Sequence, residues 1–337
     1  MHPITPRTAT NPETSPQPQA AYWTDLGTLY KCPVEDFVDS EWGRAVAGCV
    51  QLLFTSPPFP LNEKKRYGNR VGKEYLDWLV QLAEPLGDLL TEDGSLVVEL
   101  GNAWEPRKPV MSTLALKALL SLQEAGRFHL CQQFIVHNPA RLPSPAQWVT
   151  VERIRVKDSY THIWWLSRTT RPKADNSKVL SEYSAAMKKL LKRQSYNPGP
   201  RPSEHRIGEK SFLSDNGGAI PPNVIKLKPE IEPEPESMLE VSNTVSTDGY
   251  RAYCKDRGLR MHPARMAPEI PEFFIRFLTE PGDLVLDPFA GSNTTGAVAE
   301  DLGRQWIALE PEPEYIEGSR GRFGDRKLRP RRRSARA

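Results

Sequence analysis

Asp283-Leu-Val-Leu-Asp287-Pro-Phe-Ala-Gly291-Ser-Asn-Thr-Thr-Gly296 is a short apolar run that passes through a glycine-containing turn into a helical pattern over residues 294–302. Gln305-Trp-Ile-Ala-Leu-Glu310 follows as another compact apolar run. Strand, tight turn, helix and strand make the βαβ unit of a parallel sheet. Working toward the N-terminus, the helical pattern recurs over residues 271–278, and strands are expected at Thr161-His-Ile-Trp-Trp-Leu166 and over residues 128–136. A helix is expected over residues 111–124, and Ser95-Leu-Val-Val-Glu-Leu100 reads as a strand after an Asp93-Gly94 turn. Residues 74–90 carry Leu76, Leu79, Val80, Leu82, Ala83 and Leu86 at helical spacing. Cys49-Val-Gln-Leu-Leu-Phe54 is a buried strand that ends in proline-rich punctuation. The alternation specifies an α/β fold with a Rossmann-like, doubly wound and mainly parallel sheet.

A chain of 337 residues supports one sizeable core with a large insertion, or two modest domains. The formal net charge is +3, so any polyanionic partner must be argued from the distribution of charge. Cys32, Cys49, Cys131 and Cys254 are far apart and form no CxxC pair, which argues against a metal site or a disulfide framework and for a reducing cytoplasm. No apolar run is long enough to span a bilayer, so a soluble cytoplasmic protein without membrane contact is expected. Residues 1–20, rich in Pro, Thr, Ser and Gln, read as a disordered tail, and residues 324–337 as a solvated basic one. Residues 169–255 break the α/β rhythm: a basic first part with interleaved tyrosines precedes the acidic, proline-rich Lys228-Pro-Glu-Ile-Glu-Pro-Glu-Pro-Glu-Ser237.

Two strand ends carry the chemistry. Ser56-Pro57-Pro58-Phe59 directly follows the strand ending at Phe54, at the carboxyl end where open α/β sheets place ligands. Two prolines fix φ and remove two N–H donors, so the loop offers rigid carbonyl acceptors beside the Ser56 hydroxyl. Phe59 adds a flat face on which a planar ring can stack. Taken alone, these four residues read as a proline-rich turn. At the other strand end, Asp287, Phe289, Gly291, Ser292, Asn293, Thr294 and Thr295 open a helix, whose N-terminus presents free N–H groups to an anion. No lysine follows the glycines, which argues against a nucleoside triphosphate loop, and the GxGxxG spacing is absent. Glu310 ends the next strand, where an acid suits ribose hydroxyls. The two ends together describe a pocket for a nucleoside with a compact zwitterionic tail.

Ser56-Pro-Pro-Phe59 together with Asp287-Pro-Phe-Ala-Gly291 resembles the paired signature of amino-group DNA methyltransferases, in the permuted motif order of the β class. His262-Pro263-Ala-Arg265 resembles the cofactor-side motif of that class, and Ile163-Trp-Trp-Leu-Ser-Arg168 the strand preceding target recognition. Arg201-Pro-Ser203-Glu-His205 and Ser214-Asp-Asn216-Gly-Gly-Ala-Ile-Pro-Pro-Asn223 resemble the cytosine-N4 methylases of restriction–modification systems.

The resemblance, over about residues 28–323, implies a seven-stranded methyltransferase sheet with residues 21–168 as a catalytic half and 169–255 as a target-recognition region. It makes residues 256–323 an S-adenosyl-L-methionine-binding half. It implies base flipping, with Ser56 and Pro57 holding the target amino group and Pro58 and Phe59 completing the loop. Glu99 either orients Ser56, takes up a proton, or simply contacts a backbone amide. Arg201, Ser203, His205 and Asn216 become candidates for DNA contact. The implied partners are double-stranded DNA and a cognate restriction endonuclease, functional rather than physical, with the chain a monomer or weak dimer. One departure stands out: many relatives carry Gly-Asp near Tyr30-Lys-Cys-Pro33, where Pro33 leaves no carboxylate and Glu35 and Asp36 are the nearest acids. Adenine N6 poses the same geometric demand as cytosine N4, but adenine-acting relatives mostly carry Asp or Asn in place of Ser56. A silent DNA-binding protein with a methylase fold is the alternative from another class. A C5 mechanism is disfavoured because no Pro-Cys pair is present.

Overall fold

The computed structural model describes residues 17–59, 70–200, 202–204, 206–208, 212–227 and 249–324. Its strands are β1 (Gln19–Trp23), β2 (Gly27–Lys31), β3 (Val50–Thr55), β4 (Leu90–Leu100), β5 (His129–His137), β6 (Tyr160–Ser167), β7 (Gly199–Pro200), β8 (Arg206–Ile207), β9 (Val224–Lys226), β10 (Leu284–Asp287) and β11 (Gln305–Leu309). The helices are α1 (Val34–Val38), α2 (Glu41–Ala45), α3 (Gly72–Leu89), α4 (Leu114–Ala125), α5 (Ala185–Arg193), α6 (Gly249–Asp256), α7 (Glu269–Leu278), α8 (Thr294–Asp301) and α9 (Pro313–Ser319).

Among the described residues one sheet runs in the order β1-β2-β11-β10-β3-β4-β6-β5-β9. From β2 to β4 every neighbouring pair is parallel. Strand β6 lies antiparallel to both β4 and β5. The six strands read from the sequence are therefore present, β2 completes the seven that the resemblance implies, and β1 and β9 are added at the two edges. From β3 the chain crosses by way of α3 to β4 on one side; from β10 it crosses by way of α8 to β11 on the other. The adjacent strands β10 and β3 thus sit where the winding reverses, and folds of this kind place their ligand crevice at the carboxyl ends of such a pair.

Residue alternation assigns the two faces. In β3, Leu53 joins the core formed with α3 and α4, whereas Leu52 and Phe54 join the core formed with α7 and α8. Strand β3 reads as continuously apolar because both of its faces are covered. Helix α3 buries Tyr75, Trp78, Leu79, Leu82, Ala83 and Leu86, an i, i+3, i+4, i+7 stripe.

Three features differ from the sequence reading. Asp93-Gly94 is not a turn that separates elements: β4 begins at Leu90, and the extra residues form a bulge between the Val50↔Leu90 and Leu52↔Ser95 pairs. Strands β1 and β2 carry no strong period of their own and are held by distant partners. Tyr22 packs edge-on to Phe323 at 5.7 Å, and Phe323 stacks on Trp306 at 5.3 Å. Gln19 and Ala20, placed in the tail by composition, belong to β1. Strand β9 returns the chain from the insertion to the sheet edge beside β5. The acidic stretch Lys228–Ser237, most of residues 1–20 and nearly all of the basic C-terminus lie outside the described residues. Among the described residues no helix is long and apolar enough to cross a membrane.

Candidate active site

Asp287 stands at the end of β10 and ties the crevice together. Its Oδ1 accepts the Thr55 hydroxyl at 2.9 Å and the Phe289 N–H at 3.0 Å, and its Oδ2 accepts the Thr295 hydroxyl at 2.7 Å. The last residue of β3, the first turn of α8 and the loop between β10 and α8 therefore share one carboxylate. Burial pushes the Asp287 carboxyl up to about 6, against the pull of its three donors.

The loop after Asp287 makes its turn with two left-handed residues, Gly291 (φ 52°) and Asn293 (φ 55°). A Cβ at position 291 would lie 2.9 Å from the His262 ring nitrogen, so both the backbone and the space call for glycine. Gly291 N–H donates to Glu310 Oε2 at 2.9 Å, and Glu312 N–H to Glu310 Oε1 at 2.8 Å. Burial raises the Glu310 carboxyl to about 7, with the nearby Asp287 and Glu312 charges acting in the same direction. Asn293 caps α8 by accepting from Gly296 N–H at 3.1 Å and donates to the Tyr22 hydroxyl at 2.9 Å. Its side chain and that of Thr295 are thus engaged within the protein, and they shape the loop rather than line an open surface. Ser292 is buried with its hydroxyl 3.3 Å from Thr294 Oγ1.

The arginine that holds this loop was not singled out from sequence. Arg322 donates through Nε to the Ser292 carbonyl at 2.7 Å and through a terminal nitrogen to Ser292 Oγ at 2.9 Å. Its guanidinium lies 4.9 Å from the Tyr250 ring, and that of Arg265 lies 5.8 Å from the same ring. Arg265 Nε is buried without a hydrogen-bond partner among the described residues. His262 Nδ1 lies 2.7 Å from the Ala264 carbonyl, which assigns the ring proton to Nδ1. Burial keeps the His262 pKa below its ordinary value, and the Arg265 and Arg322 charges act the same way. Pro263 is exposed beside it.

On the other side of Asp287, the chain leaves β3 as Ser56-Pro57-Pro58-Phe59, with Pro57 buried and Pro58 exposed. Glu99, in β4 next to β3, accepts hydrogen bonds from Ser56 and from the Thr161 hydroxyl, the latter at 2.9 Å. Glu99 thus faces the Ser56 side chain. Burial raises the Glu99 pKa, while Thr161, Ser56 and the Arg141 charge oppose the rise. The Phe59 ring lies against Gly101, where a Cβ would come within 2.6 Å of Phe59 Cε2.

The acid missing at Pro33 is not replaced in place. Glu35 Oε1 accepts Trp78 Nε1–H at 2.7 Å and an Arg70 N–H at 3.3 Å, and Trp78 meets Phe289 edge-on at 5.5 Å. Glu35 thus acts on the Phe289 side of the crevice through an indole. Two of the residues proposed for DNA contact are among the described residues. Ser203 and Asn216 are exposed in the insertion, with Asn216 N–H bonded to the Tyr183 hydroxyl at 2.8 Å. Arg201 and His205 lie outside the described residues.

A family model for N6 and N4 methyltransferases, described as DNA methylase, matches residues 50–320. The chain is 43% identical over 310 residues to the type II methyltransferase M.PvuII of Proteus hauseri, covering 91% of this chain and 87% of that protein. A shorter match, 44% identical over 62 residues, links it to M2.DpnII of Streptococcus pneumoniae and covers 18% of this chain and 23% of that one. The solved structure of PvuII DNA methyltransferase (cytosine-N4-specific) is similar with a TM-score of 0.69 and 36% identity, covering 92% of this chain and 90% of its own. TTHA0409 of Thermus thermophilus, 18% identical with a TM-score of 0.50 over 88% of this chain and 93% of its own, shares the fold.

Proposed function

We propose, on the premise that the chain belongs to the N6/N4 DNA methylase family, that it methylates N4 of cytosine in double-stranded DNA, with S-adenosylmethionine as donor. The observation that carries this reading is the meeting of the two motifs: Thr55, next to Ser56, is hydrogen-bonded to Asp287 at the head of the glycine loop. Similarity to a cytosine-N4-specific enzyme and a serine at position 56 both support cytosine over adenine.

The residues around the carboxyl ends of β10 and β11 fit the donor. Arg265 carries a buried, unpartnered N–H donor, and the start of α8 offers N–H groups; both suit a carboxylate. Glu310 suits paired hydroxyls, and its Gly291 bond holds the carboxylate beside the loop. S-adenosylmethionine supplies a methyl group on a positively charged sulfur. Asp287, Phe289, Gly291, Ser292, Asn293, Thr294, Thr295 and Glu310 form or shape its seat, with His262, Pro263 and Arg265 closing one side.

Ser56 does the next part. Its hydroxyl proton is directed to Glu99, so its lone pairs remain to accept an N–H of the target base. With the Pro57 carbonyl as a second acceptor, the two N–H groups are held out of the ring plane and the nitrogen lone pair is freed from the ring. Phe59 stacks on the extruded base, worth on the order of 1–3 kcal/mol. Alignment of the two reactants provides most of the acceleration.

Residues 21–168 serve the base and 256–323 the donor, while residues 169–255, including Ser203 and Asn216, read the DNA. The protein acts in the cytoplasm as a monomer or weak dimer, the modification partner of a restriction endonuclease. Incubating plasmid with methyl-labelled S-adenosylmethionine and digesting it to nucleosides tests the reading. Labelled N4-methylcytosine is expected. Label in N6-methyladenine would overturn the base, and donor binding without any labelled nucleoside would favour a silent DNA-binding protein.

A further inference from the structure

Two loops rise from the carboxyl edge of the sheet next to Glu99: residues 101–112 after β4, and residues 138–159 between β5 and β6. They are locked into one unit. Asn102 Nδ2 donates to Asp158 at 3.5 Å, Arg155 lies 3.7 Å over the Trp104 ring, and its guanidinium donates to the Pro109 carbonyl at 2.8 Å. Trp104 also meets Trp148 edge-on at 6.3 Å. Lys157 Nζ and the Pro139 carbonyl close the base of the longer loop at 2.9 Å.

The outer surface of this unit is unusual in two ways. Leu142, Val151, Ile154 and Val156 are 62%, 67%, 57% and 87% exposed. Around them stand Arg107, Lys108, Arg141, Arg153, Arg155 and Lys157, against only Glu105, Glu152 and Asp158. Glu152 is taken up by Gln147 at 2.9 Å and Asp158 by Asn102. Arg107, Lys108 and Arg153 are exposed and form no ion pair with any described residue. Gly101, the first residue of the shorter loop, lies against the Phe59 ring, so the unit stands beside the base-side loop.

We infer that these two loops form a second DNA-gripping surface, separate from the insertion, with cations on the phosphates flanking the target and aliphatic tips against the opened stack. The inference rests on the proposed DNA substrate. The charge decides the occupant: a second copy would bring like-charged surfaces together, whereas a polyanion neutralises them. Apolar side chains inserted at a disrupted step are a common means of holding a distorted duplex, and a flipped base leaves such a step.

The test uses the full chain and a fluorescently labelled duplex, read by anisotropy, so that it does not depend on turnover. In the triple variant Arg107→Gln, Lys108→Gln, Arg153→Gln, duplex affinity should fall at least tenfold. The slope of log affinity against log salt should fall by about 2.7, at roughly 0.9 per phosphate contact. Val156→Asp should weaken binding as well. Affinity for S-adenosylmethionine without DNA should stay at the wild-type value in both, which shows that the fold is retained. An unchanged duplex affinity and salt slope in the triple variant overturns the inference. So does a dimer that Val156→Asp splits in sedimentation without any change in duplex binding. Failure of wild type to transfer methyl groups, assayed separately, would instead count against the proposed function.

Discussion

Thr55 Oγ1 donates to Asp287 Oδ1 at 2.9 Å, and this bond joins the ends of two adjacent parallel strands whose residues are 232 apart in sequence. One strand leads into the proposed base-side loop and the other into the proposed donor-side loop, so this contact ties the starts of the two loops together. Thr55→Val removes the donor but keeps the shape, while Asp287 retains Thr295 and Phe289 N–H. The expected cost is about 1–2 kcal/mol in thermal or denaturant stability. Single-turnover methylation should fall roughly tenfold, the rate equivalent of about 1.4 kcal/mol. A variant with full stability and an unchanged rate would show that the two loops do not depend on this bond.

Ser56→Ala should lower the single-turnover rate by at least about a hundredfold, as for loss of an oriented group at a reacting centre. Its affinity for S-adenosylmethionine, measured by calorimetry, should remain at the wild-type value. An active Ser56→Ala protein would remove this hydroxyl from the chemistry.

The Glu99 carboxyl is raised by burial, so its ionised form is lost on acidification at a higher pH than for an ordinary glutamate. Protonated Glu99 no longer draws the Ser56 proton. The rate should therefore fall on the acid side, and Glu99→Gln should be slow throughout and lack that acid limb in its pH profile.

Glu310 in the free protein is pushed up to about 7 and Asp287 up to about 6, both by burial. The proposed role of Glu310 in holding ribose hydroxyls requires its ionised form, so donor affinity should strengthen as pH rises from 6 toward 8. Below the pKa the change approaches about tenfold per pH unit for one coupled proton. Calorimetry across that range checks the effect. Glu310→Gln should bind weakly and show little pH dependence, whereas a flat wild-type profile would separate Glu310 from the donor.

Gly101→Ala places a methyl group 2.6 Å from Phe59 Cε2 and must displace the ring. The expected result is a rise of about tenfold in KM for DNA, in line with partial loss of base stacking, with donor affinity retained. Equal kinetics for Gly101→Ala and wild type would mean that the seat of Phe59 is not needed.

The alternating strands and helices were legible because each depends on local period and on turn residues close in sequence. The bulge in β4 was not, since it answers to the register of the neighbouring β3. Strands β1 and β2 were missed because their anchors, Trp306 and Phe323, come from the far end of the chain. At the site, the Ser56 and Asp287 motifs were readable as residue types with a required backbone. Arg322 was hidden among other C-terminal cations, and Arg141 among loop residues with no motif of their own.

The sequence by itself determined the fold class, the two strand-end motifs and their permuted order, because strand ends, prolines and glycines act on the backbone within a few residues. Only the tertiary structure decided which side chains serve each motif: Thr55 and Thr295 on Asp287, Glu99 on Ser56, Gly101 beneath Phe59, and Arg322 on Ser292. These contacts join residues that only the winding of the sheet brings together, and burial then sets the charge state of the carboxylates they share.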